Sequence, residues 1–205
     1  ISSAYLRLSK MFKGIEMRAC ADLNMDTARA QAEAFGVRAL GVDDILAADD
    51  ISIIVNLTIP AAHFEVSRRI LEAGKHVFSE KPFVLSVDEG QELLDLAASK
   101  NLRVGSAPDT FLGGAHQQAR ALVDSGELGQ ITGGIASVMG RGMEMWHPNP
   151  DFFFKPGGGP VLDIGPYYVT NLVPLIGSVT RVACFASTPR QEREITPHPR
   201  ARATV

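Results

Sequence analysis

Apolar positions recur along the first hundred residues with two periods in turn, one suited to helices and one to strands. Tyr5, Leu8 and Phe12 share one helical face behind Ser2 or Ser3 as a cap, which predicts a helix over residues 2–12. A short strand over 16–21 ends at Asp22. Residues 25–35 form the next predicted helix, closed by Gly36 where a left-handed residue ends helices, and 43–48 a further short helical piece. Residues 51–56, Ile-Ser-Ile-Ile-Val-Asn, are a nearly continuous β-branched run, typical of strands buried on both faces of a parallel sheet. A helix over 61–73 ends at Gly74, and a strand over 76–79, a helix over 87–100 and a strand over 103–107 complete the series.

Strands alternating with helices imply an α/β fold with a parallel sheet, helices on both faces and right-handed crossovers. Ligands of such sheets bind beyond the carboxyl ends of the strands. The segments that fall there are Asp22-Leu23-Asn24, Leu57-Thr58-Ile59-Pro60, Glu80-Lys81-Pro82 and Pro108-Asp109-Thr110. After residue 107 the alternation stops. A helix over 115–125, a turn at 126–129, a strand over 131–139, an aromatic and Pro/Gly-rich stretch over 146–159, an apolar helix over 162–176 and a strand over 179–187 predict a second, partial α+β domain. The predicted domains are 1–107 and 108–205.

The chain has 205 residues and is 45% hydrophobic, enough for one large domain or for two small ones sharing a cleft. Twenty Lys and Arg against 23 Asp and Glu give a net charge of −3, with no basic run to suggest nucleic acid or an anionic membrane as a partner. No apolar stretch reaches the roughly 18 residues that span a bilayer, so the sequence reads as a soluble, cytoplasmic protein. Cys20 and Cys184 lie in small, apolar runs and are expected as buried thiols. They are too few for a disulfide framework and have no Cys/His spacing for a metal site. The chain starts at Ile1-Ser2-Ser3 with no Met and no signal peptide, and is expected to be truncated at both ends.

Asp22 ends the first strand, where an acidic residue in dinucleotide-binding folds accepts hydrogen bonds from the adenosine ribose; such a carboxylate favours NAD over NADP. A helix N-cap is an equally good reading of it. Backbone groups of Asn56 to Pro60, which include Leu57, Thr58 and Pro60, follow the most buried strand and can line a cofactor path, or form an ordinary loop with Pro60 opening a helix. His63, on that helix's first turn, is more easily structural than catalytic. Glu80-Lys81-Pro82 sets a charged pair directly after an apolar strand, which packing alone would not choose. Lys81 there can polarise a substrate oxygen or stand as a solvated lysine at a strand end, and Pro82 fixes the turn, with a cis bond as one way to do so. Farther on, Gly157-Gly158-Gly159 leads into a helix with Asp163 and Tyr167 at i, i+4 on one face. Oxidising an alcohol needs a hydride acceptor and a base, and a nearby ammonium favours phenolate, so Lys81, Asp163 and Tyr167 make a plausible proton-transfer and orienting set.

Ala73-Gly74-Lys75-His76-Val77-Phe78-Ser79-Glu80-Lys81-Pro82 resembles the A-G-K-H-V-x-x-E-K-P stretch of the Gfo/Idh/MocA oxidoreductase family, and residues 157–167 resemble its G-G-G-x-x-x-D-x-G-x-[HY] stretch. Ser125-Gly126-Glu127-Leu128-Gly129 matches a common turn of the same family. The resemblance implies a Rossmann-type domain, here without its first strand and glycine loop, and a partial second domain with an open, mostly antiparallel sheet that builds homodimers or homotetramers in the full-length protein. It implies an enzyme acting on CH–OH groups of a sugar, inositol or related polyol with NAD, less readily NADP. By the same resemblance Lys81 is the catalytic-site lysine, Asp163 binds substrate and Tyr167 takes the acid/base position, where many members have His. Expected on the cofactor side are Asp22, Leu57, Thr58, Pro60, His63, Glu80, Lys81 and Pro82. Trp146 and His147 either line the substrate pocket or belong to a structural loop. A non-catalytic dinucleotide-binding regulator and an NAD-dependent glycosidase are the alternatives within the family. Without the glycine loop, the chain as given is expected to bind dinucleotide weakly or not at all.

Overall fold

In the computed structural model, which describes residues 1–147, 150–188 and 192, the helix predicted over 25–35 forms residue for residue. Its ends are local chemistry. The Asn24 side chain accepts from Asp26 N, and Gly36 closes the helix at φ +72°. The helix over Val87–Ser99 starts in a capping box, with Glu89 N donating to Ser86 Oγ and Ser86 N to Glu89 Oε2, each at 3.2 Å. In order, the helices of the first unit are α1 (Ser2–Leu8, extended by a 3-10 turn at Ser9–Met11), α2 (Met25–Phe35), α3 (Val42–Ala47), α4 (His63–Glu72) and α5 (Val87–Ser99). The strands are β1 (Ala19–Ala21), β2 (Arg38–Leu40), β3 (Ile53–Asn56), β4 (His76–Ser79) and β5 (Val104–Ser106).

All strand pairs are parallel. β1 pairs with β2, and β3, β4 and β5 form a second ladder in which Val55 opposes Phe78 and Phe78 opposes Gly105. Gly105 leaves room for the Phe78 ring, since a Cβ there would lie 2.9 Å from Phe78 Cδ2. The core is Ile70, Leu71, Val77, Leu93 and Ala97, where α4 and α5 close over β4. Strand β2 was not foreseen. Its Arg-Ala-Leu sequence has no β-branched residue, and it is held by the β1 ladder and by Arg38, whose guanidinium reaches both carboxylate oxygens of Asp50 at 2.8 and 2.7 Å. β1 is shorter than the predicted 16–21, because its ladder runs only where β2 lies beside it.

The chain divides into two compact units, Ile1–Ala107 and the residues from Pro108 on. The second unit has α6 (Gly114–Asp124) and α7 (Pro160–Ile176), with 3-10 turns at Thr110–Leu112, Met143–Met145 and Asp151–Phe154. Arg120 ties the two helices, pairing with Asp124 and donating to the Pro174 carbonyl. Among the described residues, the strands predicted over 131–139 and 179–187 do not form. A strand's backbone groups bond to a neighbouring strand, so an alternating apolar pattern with no neighbour makes no ladder. Their side chains accordingly stand out, with Ile135 97% and Phe185 101% exposed. Cys184 is exposed for the same reason, and Cys20 only partly covered, which corrects the expectation of two buried thiols. The end of the predicted second domain lies outside the described residues.

Candidate functional site

The carboxyl edge of β3 and β4 gathers the polar groups of the first unit. The ladder continues one step past β4, with Glu80 N donating to Asn56 O at 2.9 Å, so Lys81 is the first residue beyond it. The Lys81–Pro82 peptide is cis. Glu80 joins two elements through its carboxylate: Oε1 accepts from the Tyr5 hydroxyl of α1 at 2.8 Å, and Oε2 from Lys81 N at 3.1 Å. Lys81 is half-buried and Pro82 buried.

Asn56, only 2% exposed, is the hub beneath this edge. Its amide nitrogen donates to His63 O at 3.1 Å and Ser67 Oγ at 3.0 Å. Its Oδ1 accepts from Thr58 N at 3.2 Å and Thr58 Oγ1 at 2.7 Å. All the bonding capacity of the amide is used, as a buried polar group requires. His63 is 1% exposed, with Nδ1 2.6 Å from Pro82 O and Nε2 2.9 Å from Thr58 O. Both ring nitrogens therefore face protein, and the ring reaches a ligand only through the loops it holds. Pro60 opens a 3-10 turn, Pro60–Ala62, ahead of α4. Leu57 is half-buried and Thr58 is open to solvent.

Asp22 lies exposed at the end of β1. Its Oδ1 accepts from Asn24 N at 2.8 Å, while Asn24 caps α2. The capping alternative for Asp22 is thus corrected, because the cap falls two residues later. An exposed carboxylate at this strand end offers acceptors to hydroxyl donors. Beside it, burial and the Asp22 charge both push the Cys20 thiol above its ordinary range.

In the second unit, the glycine run positions the start of α7. Gly157 and Gly159 both have φ +90°, and a Cβ on Gly158 would lie 2.5 Å from the carbonyl oxygens of Phe152 and Phe153. Pro160 occupies the first turn, and Asp163 N donates to Gly159 O at 3.0 Å. Asp163 and Tyr167, half-buried, follow one turn apart, and Asn171 donates to Tyr167 O at 2.6 Å. His147 packs edge-on between Trp146 and Phe152, at centroid distances of 5.5 and 5.3 Å. Trp146 is 61% exposed, so this aromatic set has an open face.

The structure thus brings Thr58, His63, Glu80, Lys81 and Pro82 together in the first unit, and Asp163 and Tyr167 together in the second. Sequence reasoning missed the side-chain hydrogen bonds of Tyr5, Asn56 and Ser67. One signal was available: Asn56 is a polar residue ending a β-branched run. Among the described residues, no group of three or more His, Cys, Asp and Glu is placed to hold a metal ion, and no helix is long and apolar enough to cross a membrane.

Comparison with known proteins supplies the family. Residues 1–107 match the sequence profile described as Gfo/Idh/MocA oxidoreductase family, NAD-binding Rossmann fold, and residues 116–204 match the Gfo/Idh/MocA C-terminal domain. An uncharacterized oxidoreductase of Schizosaccharomyces pombe is 32% identical over 154 residues, covering 73% of this chain and 41% of that protein. The dTDP-3,4-didehydro-2,6-dideoxy-alpha-D-glucose 3-reductase of Streptomyces violaceoruber is 34% identical over 171 residues, covering 82% of this chain and 48% of that protein. The chain thus spans less than half the length of these relatives. Among solved structures, the 3-ketoreductase KijD10 of Actinomadura kijaniata, in complex with TDP-benzene and NADP, aligns with a TM-score of 0.65 and 26% identity over 84% of this chain and 51% of that one. The apo scyllo-inositol dehydrogenase of Lactobacillus casei aligns with a TM-score of 0.58 and 23% identity over 63% of this chain and 40% of that one, a likeness of fold.

Proposed function

We propose, since the chain belongs to the Gfo/Idh/MocA oxidoreductase family, that the full-length protein interconverts a hydroxyl and a ketone on a sugar, inositol or related polyol with a nicotinamide dinucleotide. The observation that carries the reading is Lys81, placed as the first residue past the β4 ladder at the carboxyl edge of a parallel sheet. Asp163 and Tyr167, one turn apart on α7, are the residues to which the family resemblance assigns substrate binding and proton transfer. A reductase relative acting on a dTDP-linked keto sugar favours carbonyl reduction on a deoxysugar as one form of the reaction.

The chemistry assigns each side chain a task. The nicotinamide, when bound, exchanges the hydride. The Lys81 ammonium donates to the reacting oxygen and stabilises the negative charge that develops there. Tyr167 holds the hydroxyl proton in one direction of the reaction and returns it in the other. Asp163 accepts from a neighbouring substrate hydroxyl and so orients the ring. Asp22 accepts from the adenosine ribose, which supports NAD over NADP because a 2′-phosphate would meet a carboxylate. The Leu57 to Pro60 loop and the Glu80–Pro82 turn border the cofactor path. Trp146 and His147 offer an aromatic face and a donor to a sugar.

The test is a screen of sugars, inositols and nucleotide-linked keto sugars with the full-length protein, following absorbance of the reduced cofactor with NAD and NADP in parallel. Turnover that falls at least about a hundredfold in Lys81→Ala is expected. Full turnover in that variant overturns the reading.

A further inference from the structure

His63 is the largest fully buried polar side chain among the described residues, and it faces two loops at once. Its Nδ1 lies 2.6 Å from the carbonyl oxygen of Pro82, next to Lys81, and its Nε2 lies 2.9 Å from that of Thr58, in the loop after β3. A backbone carbonyl only accepts. A ring nitrogen that carries the hydrogen donates to the carbonyl it faces, so the ring is bonded to one of the two loops and packed against the other. Thr58 is also fixed from the opposite side, where its N–H and hydroxyl both donate to Asn56 Oδ1. Asn56 in turn holds the backbone of His63 by donating to its carbonyl at 3.1 Å. The ring, the β3 terminus and both loops thus form one network of hydrogen bonds and close packing.

We propose that His63 is a positioning residue for Lys81: its ring, wedged between the Thr58 and Pro82 carbonyls, ties the loop after β3 to the turn after β4 and fixes where Lys81 stands on the sheet edge. This rests on the role given to Lys81 above. The rigid ring sets its two nitrogens against carbonyls on different loops. A glutamine donates from a single nitrogen and keeps part of the tie, and a leucine fills space and keeps none.

The experiment is hydrogen exchange read by mass spectrometry on the full-length protein and its His63→Leu and His63→Gln variants, with no cofactor or substrate. Amides of residues 57–59 and 80–84 are expected to exchange about tenfold faster in His63→Leu and less so in His63→Gln, with α5 unchanged. The rate at which Lys81 is acylated by an N-hydroxysuccinimide ester, relative to other lysines, shifts in His63→Leu and returns partway in His63→Gln. Unchanged exchange at both loops, or a rise spread evenly over the unit, overturns the proposal. If His63→Leu does not fold, His63→Gln gives the same comparison. None of these readouts requires turnover, so they fail or succeed apart from the oxidoreductase reading, which Lys81→Ala tests.

Discussion

Tyr5 donates its hydroxyl to Glu80 Oε1 at 2.8 Å, joining residues 75 positions apart. The bond attaches α1 to the turn that carries Lys81, and the other carboxylate oxygen of Glu80 accepts from Lys81 N. Glu80 is half-buried, so losing its neutral donor leaves an ionised acceptor less well satisfied. Tyr5→Phe is therefore expected to lower unfolding stability by about 1 to 2 kcal/mol. Urea denaturation of the full-length protein checks this, and an unchanged midpoint would show that the bond contributes nothing.

Asn56 carries a heavier load. Replacing it by Leu leaves the Thr58 N–H, the Thr58 hydroxyl, the His63 carbonyl and the Ser67 hydroxyl without their partner. Each orphaned group costs about 1 to 3 kcal/mol where water cannot reach it, and neighbouring losses overlap. A loss of about 3 to 4 kcal/mol is expected for Asn56→Leu by urea denaturation. Ser67→Ala removes one partner only and should cost about 1 kcal/mol. Equal losses in the two variants would contradict the hub role.

Local chemistry made much of this fold legible. Helix α2 follows from Asn24 and Gly36, and strand β4 from the apolar run between Gly74 and the charged turn. The positions of Lys81, Asp163 and Tyr167 could be placed on elements because each follows a strand or a glycine run. Long-range pairing escaped. Nothing local in Arg38–Leu40 marks a strand, since β2 exists because β1 lies beside it. The stretches 131–139 and 179–187 are the converse, with a strand-like pattern and no ladder among the described residues. Tyr5 read as one apolar position on a helix face, and its hydroxyl partner is 75 residues away. Asp22 looked like a cap because it ends a strand before a helix, but Asn24 lies in register with the helix N–H groups.

Among the described glycines of the second unit, Gly158 lies closest to other backbone. A methyl group there would press on two backbone oxygens at 2.5 Å, which no rotamer change can relieve. Gly158→Ala must move either the Phe152–Phe153 backbone or the start of α7, at a cost of about 1 to 3 kcal/mol. Because Asp163 lies in the first turn of α7, the same change should displace it. Thermal unfolding measures the first effect. The second is measured as a raised KM for the substrate found by the screen, with dinucleotide affinity unchanged. Wild-type stability in Gly158→Ala would contradict the close packing.

The two thiols should separate by reactivity. Cys184 is exposed, while Cys20 is partly covered and its thiol donates to Ala28 O at 3.4 Å. Burial pushes the Cys20 thiol up first, and the negative charge of Asp22 adds to it. The thiolate is the nucleophile, so at neutral pH Cys184 should react with a disulfide reagent before Cys20. Asp22→Asn removes the second cause and should speed Cys20, measured in a Cys184→Ser background. The sign for stability follows from the same shift. A thiol whose folded-state pKa is raised keeps its proton longer in the folded chain than in the unfolded one. Its contribution to stability is complete below the ordinary thiol range and is lost as pH rises through the raised folded value. Wild type should therefore lose stability over that alkaline window by more than Cys20→Ser does. Cys20 reacting faster than Cys184, or an identical alkaline decline in both proteins, would refute the assignment.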